Sequence, residues 1–436
     1  MKEKNQGPAL PYSYLVDNIK VLLIYLVVFN HMIAFQLVKD DMVVRHVWYA
    51  ITIFHMPAFV FISGYLCKKP QNVLKNVKNL LIPYILGYSL TWYAYIWCGK
   101  SMDYELLRPS GSAMWYLLAL FIYRLTIEAL GKVRFAVPLS ILFALWAGTR
   151  PEFSTYLSAS RIVVFFPFFV AGYLWDSKHT QAVRRFKGKW VLLPVSVGLL
   201  FAVPHYMISS GIPVDIFRGN HSYLMCGLTD EMGIIMRLLM YLISFVLILT
   251  FLAILPDRKL PLTFIGRNTM GIYFFHYPVM IVMSGLLIFK IPQLGTIWAV
   301  LGLSLVFVLV LGSPPVDFLY NVVLKILTLC LFKREKEIKD EGLEDEYDSD
   351  DELQYELVLK QRRKAIEELA ATLETETNGD PAQDVMQKPS QDNSGESREI
   401  RRNLSRESLE ESSEAPFEKS LEKSPEIPDE PERSEE

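Results

Sequence analysis

Three histidines lie inside stretches of sequence that are otherwise apolar. His31, His55 and His276 each have mainly aliphatic and aromatic neighbours. An ionisable side chain is costly in hydrocarbon, which makes each of the three a candidate for function. Imidazole is the side chain best suited to take a proton from a hydroxyl near neutral pH. One buried histidine is equally well explained by a structural hydrogen bond, but three on separate stretches favour a shared polar cavity.

Acyl transfer from a thioester to an alcohol is a reaction that needs such a base. It also needs hydrogen-bond donors for the developing oxyanion and a clamp for the acyl carrier. Four lysines within eleven residues suit the phosphates of coenzyme A as point charges; they are Lys68, Lys69, Lys75 and Lys78. The competing interpretation is that these lysines only set the membrane orientation and contact anionic lipid.

The histidines are carried by a succession of apolar runs in the first three quarters of the chain. At about 1.5 Å per residue, runs of this kind approach the roughly 30 Å of a hydrocarbon core. They predict an all-α, polytopic membrane protein with about ten transmembrane helices, of which the fifth is the shortest. The ten runs are 15–37, 47–66, 79–98, 113–130, 135–148, 161–176, 189–208, 231–255, 269–290 and 296–313.

The charges divide the chain of 436 residues into unlike parts. Residues 1–332 carry 28 Lys+Arg and 14 Asp+Glu, whereas residues 333–436 carry 16 and 33. Residues 1–14 form a short N-terminal segment, 15–332 the transmembrane domain, and 333–436 an acidic tail whose composition predicts disorder. Leucine spacing favours a helix over 352–374 in that tail. A solvated tail of this kind is also a candidate site for protein partners.

Lysine and arginine are concentrated in the loops that follow the even-numbered apolar runs. Loops rich in these residues stay in the cytosol, so the alternation predicts that both termini are cytosolic. A bacterial inner membrane suits the apolar part, and a eukaryotic endomembrane or plasma membrane suits the long tail. Both locations stay open.

Signatures of soluble catalysts and of metal sites are missing from the sequence. It contains no G-x-G-x-x-G, P-loop, C-x-x-C or G-x-S-x-G motif, and its four cysteines have no metal-like spacing. We therefore predict no metal, no permanently bound cofactor and no nucleic-acid partner. The expected partners are the lipid bilayer, an acyl-CoA and an acceptor.

Six sequence blocks, in order, resemble the acyltransferase family 3 membrane proteins, particularly the fucose 4-O-acetylase-like branch. Any one block is short and apolar, but six in register over about 12–313 are fairly specific. They are "DNIKVLLIYLVVFNH", "IFHMPAFVFISGYL", "LLIPY", "MWYLLALFIYRL", "SRIVVFFPFFVAGYLW" and "IGRNTMGIYFFHYP".

The resemblance implies an integral-membrane O-acyltransferase that uses acetyl-CoA to modify a sugar hydroxyl on a glycan or glycoconjugate. It implies that His31 is the essential first-span histidine, with Asp17 and Lys20 as the acidic and basic residues before it. His276 matches the histidine of the late block. Arg161 lies in the fifth block, where the family has a basic residue, and is expected to stabilise an oxyanion or a substrate charge.

The chain also departs from the family pattern. Many members have an Arg-x-x-Arg motif before the third span, whereas the nearest counterpart here is Lys75-x-x-Lys78. Lysine binds phosphate without the bidentate geometry of a guanidinium group. No soluble hydrolase-like domain is appended, and the acidic tail is foreign to the pattern.

The resulting hypothesis is acetyl transfer from acetyl-CoA to a carbohydrate hydroxyl, with His31 as general base. His55 and His276 are expected to position substrate or relay the proton; direct transfer and an acyl-enzyme both stay open. The rival function is a proton-coupled secondary transporter that uses the buried ionisable residues. Internal repeats typical of transporters are not evident in the sequence. A catalytically silent scaffold is a third alternative, and the acceptor sugar is not encoded in any pattern.

Overall fold

The computed structural model describes residues 13–36, 41–68, 72–108, 112–153, 156–286 and 296–332. These residues are helical and contain no strand, as the sequence predicts. The predicted helix at 352–374 and the predicted disorder of 333–436 lie outside them. The helices are α1 Tyr14–Gln36, α2 Met42–Leu66, α3 Val73–Asn76, α4 Ile82–Trp97, α5 Trp115–Leu130, α6 Ala136–Gly148, α7 Ala159–Leu174, α8 Ser177–Arg185, α9 Lys189–Ser209, α10 Asp215–Arg218, α11 Asp230–Ile254, α12 Thr269–Gly285, α13 Ile297–Leu311 and α14 Pro314–Leu331.

Six helices among the described residues are long and apolar enough to cross a membrane. Each of the ten predicted runs contains a helix, but several of these helices are shorter than 18 residues, so the count of ten stays a prediction. The sixth long helix, α14, begins after the last predicted run and was not expected. The six are Tyr14–Phe35, Met42–Leu66, Tyr156–Leu174, Lys189–Ser209, Asp230–Ile254 and Pro314–Leu331.

Helices α2 and α7 approach each other most closely at two glycines. A Cβ added to Gly64 would lie 2.1 Å from the carbonyl oxygen of Phe169, and one added to Gly172 would lie 2.0 Å from that of Phe61. Small residues allow such contact between helix backbones, where dispersion and close packing replace the hydrophobic effect. The crossing holds α7, which carries Arg161, against the helix that carries His55.

Polar contacts join the start of α1 to the ends of α2, α7 and α11. The backbone N–H of Leu15 donates to Asp257 at 2.8 Å, and Asp257 lies within electrostatic range of Tyr65 near the end of α2. The amino group of Lys68 donates to the carbonyl oxygen of Trp175 at 2.8 Å. We call this end of the helix bundle the basic end.

At the opposite end, the segment 210–229 between α9 and α11 is fixed by Tyr223. The backbone N–H of Tyr223 donates to Gly148 at 2.8 Å, and its hydroxyl donates to Leu145 at 3.0 Å. The fully buried guanidinium of Arg237 lies 4.8 Å from the centre of the same ring. These contacts attach the segment to the C-terminal end of α6. We call this the loop end.

Candidate active site

Two of the three predicted histidines are in contact. The ring centres of His31 on α1 and His276 on α12 are 5.3 Å apart, and the edge of Tyr277 meets the His31 ring at 5.2 Å. His276 is fully buried, whereas His31 keeps part of its surface exposed. The pair is therefore accessible from the side of His31. We call His31 and His276 the imidazole pair.

The hydrogen bonds of His276 determine which ring nitrogen carries the proton. Its Nδ1 lies 2.7 Å from the carbonyl oxygen of Tyr273 and 3.2 Å from that of Ile272. A carbonyl oxygen only accepts, so Nδ1 must be the donor, and Nε2 of the neutral ring carries a lone pair. Nε2 is buried and has no hydrogen-bond partner among the described residues. His276 thus presents a free basic nitrogen next to His31.

His55 lies near the pair without touching it. Its side chain is 5% exposed, and its Nδ1 is 2.7 Å from the carbonyl oxygen of Ile51 in the preceding turn. The imidazole of His31 is close enough to interact electrostatically with that of His55. The structure thus places His31 and His276 in contact, and His55 is linked to them by this electrostatic interaction alone.

Arg161 faces the same region from the first turn of α7. The residue is 7% exposed, and its guanidinium carbon lies 5.1 Å from the centre of the Trp115 ring. Among the described residues this guanidinium has no hydrogen bond and no ion pair. It is within electrostatic range of His31. A cation that forms no ion pair within the described part of the chain is thus held beside the imidazole pair.

Arg218 and Tyr277 were missed by the sequence analysis. Arg218 lies within electrostatic range of His31 and forms an ion pair of 3.1 Å with Asp215 in α10. The signal that the sequence offered was a pair of opposite charges, Asp215 and Arg218, three residues apart. Tyr277 follows directly after His276, and nothing in its type distinguishes it from the other tyrosines of the apolar runs.

Asp17 and Lys20 lie far from the imidazole pair. Fourteen residues of helix separate Asp17 from His31, which corresponds to about 21 Å. The Asp17 carboxylate forms ion pairs with Lys20 at 3.1 Å and with Arg267 at 3.8 Å. Asp17 and Lys20, which the family resemblance implies for the site, are thus at the opposite end of α1 from His31. These charges instead join the start of α1 to the segment before α12.

Lys68 is bound within the protein. Its amino group donates to carbonyl oxygens at the end of α7, including those of Gly172 at 3.4 Å and Trp175 at 2.8 Å, and lies 3.9 Å from Asp176. Partial burial lowers the pKa of Lys68, while Asp176 opposes that change. These contacts neutralise the negative end of the α7 dipole. In the structure the amino group of Lys68 is thus occupied by the C-terminal end of α7, unlike those of Lys75 and Lys78.

The other predicted donor-binding lysines lie on the same face of the basic end. Lys75 is exposed, and Lys78 is partly exposed with its amino group 5.1 Å from the centre of the Phe332 ring. Lys69 lies outside the described residues. Lys75 and Lys78 are one turn apart and are available to an anionic ligand.

No group of three or more His, Cys, Asp or Glu suited to a metal occurs in the described parts of the chain.

Comparison with known proteins gives one finding. A family model described as an acyltransferase domain matches residues 13–312, a range that begins just before α1 and ends after α13. No curated protein matches the chain, and no solved structure matches it. The matched range contains the imidazole pair, Arg161 and the lysines of the basic end. It excludes α14 and the acidic tail.

Proposed function

The chain belongs to the acyltransferase 3 family, and we propose that it transfers an acetyl or other short acyl group from acyl-CoA to a hydroxyl of a sugar or glycoconjugate. The family and the apolar helices together indicate a multi-pass membrane acyltransferase. The finer assignment, to the fucose 4-O-acetylase-like branch, follows from the sequence blocks. The imidazole pair is the observation that carries the proposal.

The arrangement of the pair supports a two-step path for the proton. His31 is accessible and takes the proton of the acceptor hydroxyl, while the free Nε2 of His276 takes the proton from the other nitrogen of His31. The hydroxyl oxygen attacks the thioester carbonyl, and the tetrahedral intermediate expels the thiolate of coenzyme A, which recovers the proton. General base catalysis of this kind contributes about 10² to 10⁴ in rate.

The donor is proposed to enter at the basic end. Lys75 and Lys78 bind the phosphates of acyl-CoA, and the flexible arm of the carrier brings the thioester into the membrane toward His31. The acceptor enters from the loop end, where His31 keeps its exposure. If the basic end is cytosolic, as the loop charges predict, both termini are cytosolic and acyl-CoA is drawn from the cytosol.

Replacing Lys75 and Lys78 together by Ala should raise KM for acetyl-CoA about tenfold with little change in kcat. Each lysine binds the carrier equally strongly in the ground state and in the transition state. Its loss therefore weakens the binding of acetyl-CoA without slowing the chemical step. The measurement is acetyl transfer at varied acetyl-CoA. Lys68→Met is the comparison: it should lower the melting temperature in detergent because it removes the contacts to α7, and leave KM nearly unchanged. Equal KM effects at all three lysines would contradict the assignment.

Glycan mass spectrometry of cells with and without the protein tests the proposed function. We expect a set of glycans to lose an acetyl or other short acyl group when the protein is absent and to recover it when the wild-type chain is restored. Restoration of acylation by a chain carrying His31→Ala would contradict the proposal.

A further inference from the structure

The charges around the imidazole pair do not cancel. Arg161 and Arg218 are within electrostatic range of each other, and Asp215 is the acidic residue near them. Asp215 is already paired with Arg218. Burial lowers the pKa of His221 on the same segment; Asp215 opposes that change, and the two arginines add to it. One positive charge, that of Arg161, is left without a protein counter-ion in the described part of the site.

Burial makes this excess charge significant. Arg161 is 93% buried, since only 7% of its surface is exposed, and the ring of Trp115 is its polarisable neighbour. Buried charges in proteins are ordinarily paired, because the loss of hydration is offset only by an opposite charge or by hydrogen bonds. The described residues supply neither to this guanidinium. A ligand is left to supply the counter-ion.

The segment 210–229 brings Arg218 to the same place. Ile216 and Phe217 are fully buried and anchor α10. Gly219 has a positive φ of 64°, and a Cβ added to it would lie 3.0 Å from Val164, one turn after Arg161 on α7. The close approach needs glycine for both reasons. It sets Arg218 beside the N-terminal turn of α7.

The same segment carries polar atoms that await a partner. Asn220 Oδ1 and His221 Nδ1 are buried and have no hydrogen-bond partner among the described residues. Buried polar atoms are ordinarily satisfied by protein, water or ligand, and an amide oxygen and an imidazole nitrogen both suit sugar hydroxyls. The segment that carries Arg218, which interacts electrostatically with His31, thus also carries groups suited to hydroxyls.

We propose that Arg161, with Arg218 at the rim, binds a carboxylate or phosphate carried by the acceptor, so that the acceptor is an anionic sugar. This inference rests on the proposed function and deepens it. A guanidinium group binds either anion through two parallel hydrogen bonds, which fixes the orientation of the sugar as well as its affinity. Asn220 and His221 then contact neighbouring hydroxyls.

Binding of matched sugars to the purified full chain in nanodiscs tests the inference. The probes are methyl glucoside, methyl glucuronide and methyl glucoside 6-phosphate, which differ only in the substituent at C5 of the ring. We expect at least one anionic probe to bind about tenfold or more tightly than the glucoside, as a charge-assisted bidentate contact provides. The stronger of the two anions identifies the acceptor as a uronate or a sugar phosphate.

Three variants test which arginine causes the preference for anionic over neutral probes. Arg161→Gln and Arg218→Gln should reduce the ratio of anionic to neutral affinity toward one, whereas Arg150→Gln, an exposed arginine after α6, should leave it unchanged. Equal binding of the three probes to the wild type, or a preference that survives in both site variants, would overturn the inference. Acetyl transfer to neutral sugars with no anion preference would contradict this inference alone, and anion preference without transfer would contradict the proposed function alone.

A second observation concerns α14, which is amphipathic. Its polar residues recur every three or four positions on one stripe, and the remainder of the helix is almost wholly apolar. Tyr320 is its one buried residue, and its other apolar side chains are partly buried or exposed, with Phe318, Leu319, Ile326, Leu329 and Leu331 exposed. The polar stripe consists of Asp317, Asn321, Lys325 and Thr328.

Both ends of α14 contact the basic end. At its start, Tyr320 packs against Phe274 near the beginning of α12, with ring centres 5.4 Å apart. At its other end, Phe332 lies under the amino group of Lys78, just before α4. Helices α4 and α12 run side by side in the same direction, because Gly87 faces Phe274 and Cys98 faces Gly285. Their first turns are therefore at the same end of the bundle, and both contacts of α14 are with residues in the first two turns of α12 or just before α4.

We infer that α14 lies in the plane of the membrane interface at the basic end, with its apolar face in the boundary between headgroups and acyl chains. A helix that crosses the membrane would bring its two ends to opposite faces, which these contacts exclude for α14. Wide apolar faces with a narrow polar stripe are typical of helices at this boundary. The C-terminal end of α14 is then on the same side of the membrane as the start of α1.

Spin labels on single-cysteine variants of the full chain in vesicles measure the depth of each position. We expect Leu319 and Ile326 to be deep and Asn321 and Lys325 shallow, in a 3.6-residue period. Labels along α11 serve as the comparison, and their depth in the bilayer should change steadily from one face of the membrane to the other. A steady change in depth along α14 would overturn the inference.

Discussion

Replacement of His31 by Ala should lower the rate of acetyl transfer about a thousandfold, within the range that removal of a general base produces. The side chain is partly exposed and in contact with His276, so it is the imidazole that an acceptor hydroxyl can reach. Without it the hydroxyl loses the exposed imidazole of the pair as its proton acceptor, because His276 is fully buried, and attack on the thioester slows. KM for acetyl-CoA should change little, because the carrier is bound at the basic end.

His46→Ala is the matched control for this experiment. His46 is also an imidazole on a membrane helix, but it stacks on His205 with ring centres 5.7 Å apart, away from the imidazole pair. Both variants should insert and elute from size-exclusion chromatography like the wild type. Activity of the His31 variant within threefold of the control would contradict the assignment of the base.

Replacement of His276 by Asn should lower kcat by about two orders of magnitude. The Asn side-chain amide keeps a donor for the Tyr273 carbonyl oxygen, which Nδ1 of His276 contacts at 2.7 Å, but removes the basic Nε2. The variant therefore separates the structural role of the residue from its role in the proton path. Rates are measured with saturating acetyl-CoA and the same acceptor.

The two substitutions should not be additive. If His276 acts only through His31, the double variant will be no slower than His31→Ala alone, because the second step of the proton path has already been lost. A double variant slower by the product of the two single effects would show that His276 contributes independently. Full activity of His276→Asn would show that its Nδ1 contact alone is required.

Much of the helical organisation could be predicted from the sequence, because hydropathy is a local property. Every predicted apolar run contains a helix, and single histidines within three of these runs made His31, His55 and His276 candidates. The helix α14 was missed because Asp317, Asn321 and Lys325 interrupt its apolar character every four residues. That interruption is the amphipathic pattern of the helix.

The functions of single charged residues could not be predicted, because they depend on partners far along the chain. Lys68 appeared equivalent to its neighbouring lysines, and the carbonyl groups that bind it belong to α7 more than a hundred residues later. Asp17 precedes His31 in a family-like pattern, yet it pairs with Arg267 at the other end of the bundle. Arg218 reaches the site through the close contact of Gly219 with α7. Tertiary contacts of this kind leave no local signal.

Purified protein in proteoliposomes, supplied with acetyl-CoA labelled in the acetyl group and a panel of neutral and anionic sugars, tests the central claim most directly. We predict that label becomes covalently attached to a sugar in the wild type, that coenzyme A is released in equal amount, and that both products are lost with His31→Ala. Uptake of unmodified sugar into the liposomes, without covalent label and independent of acetyl-CoA, would contradict the account and favour a transporter.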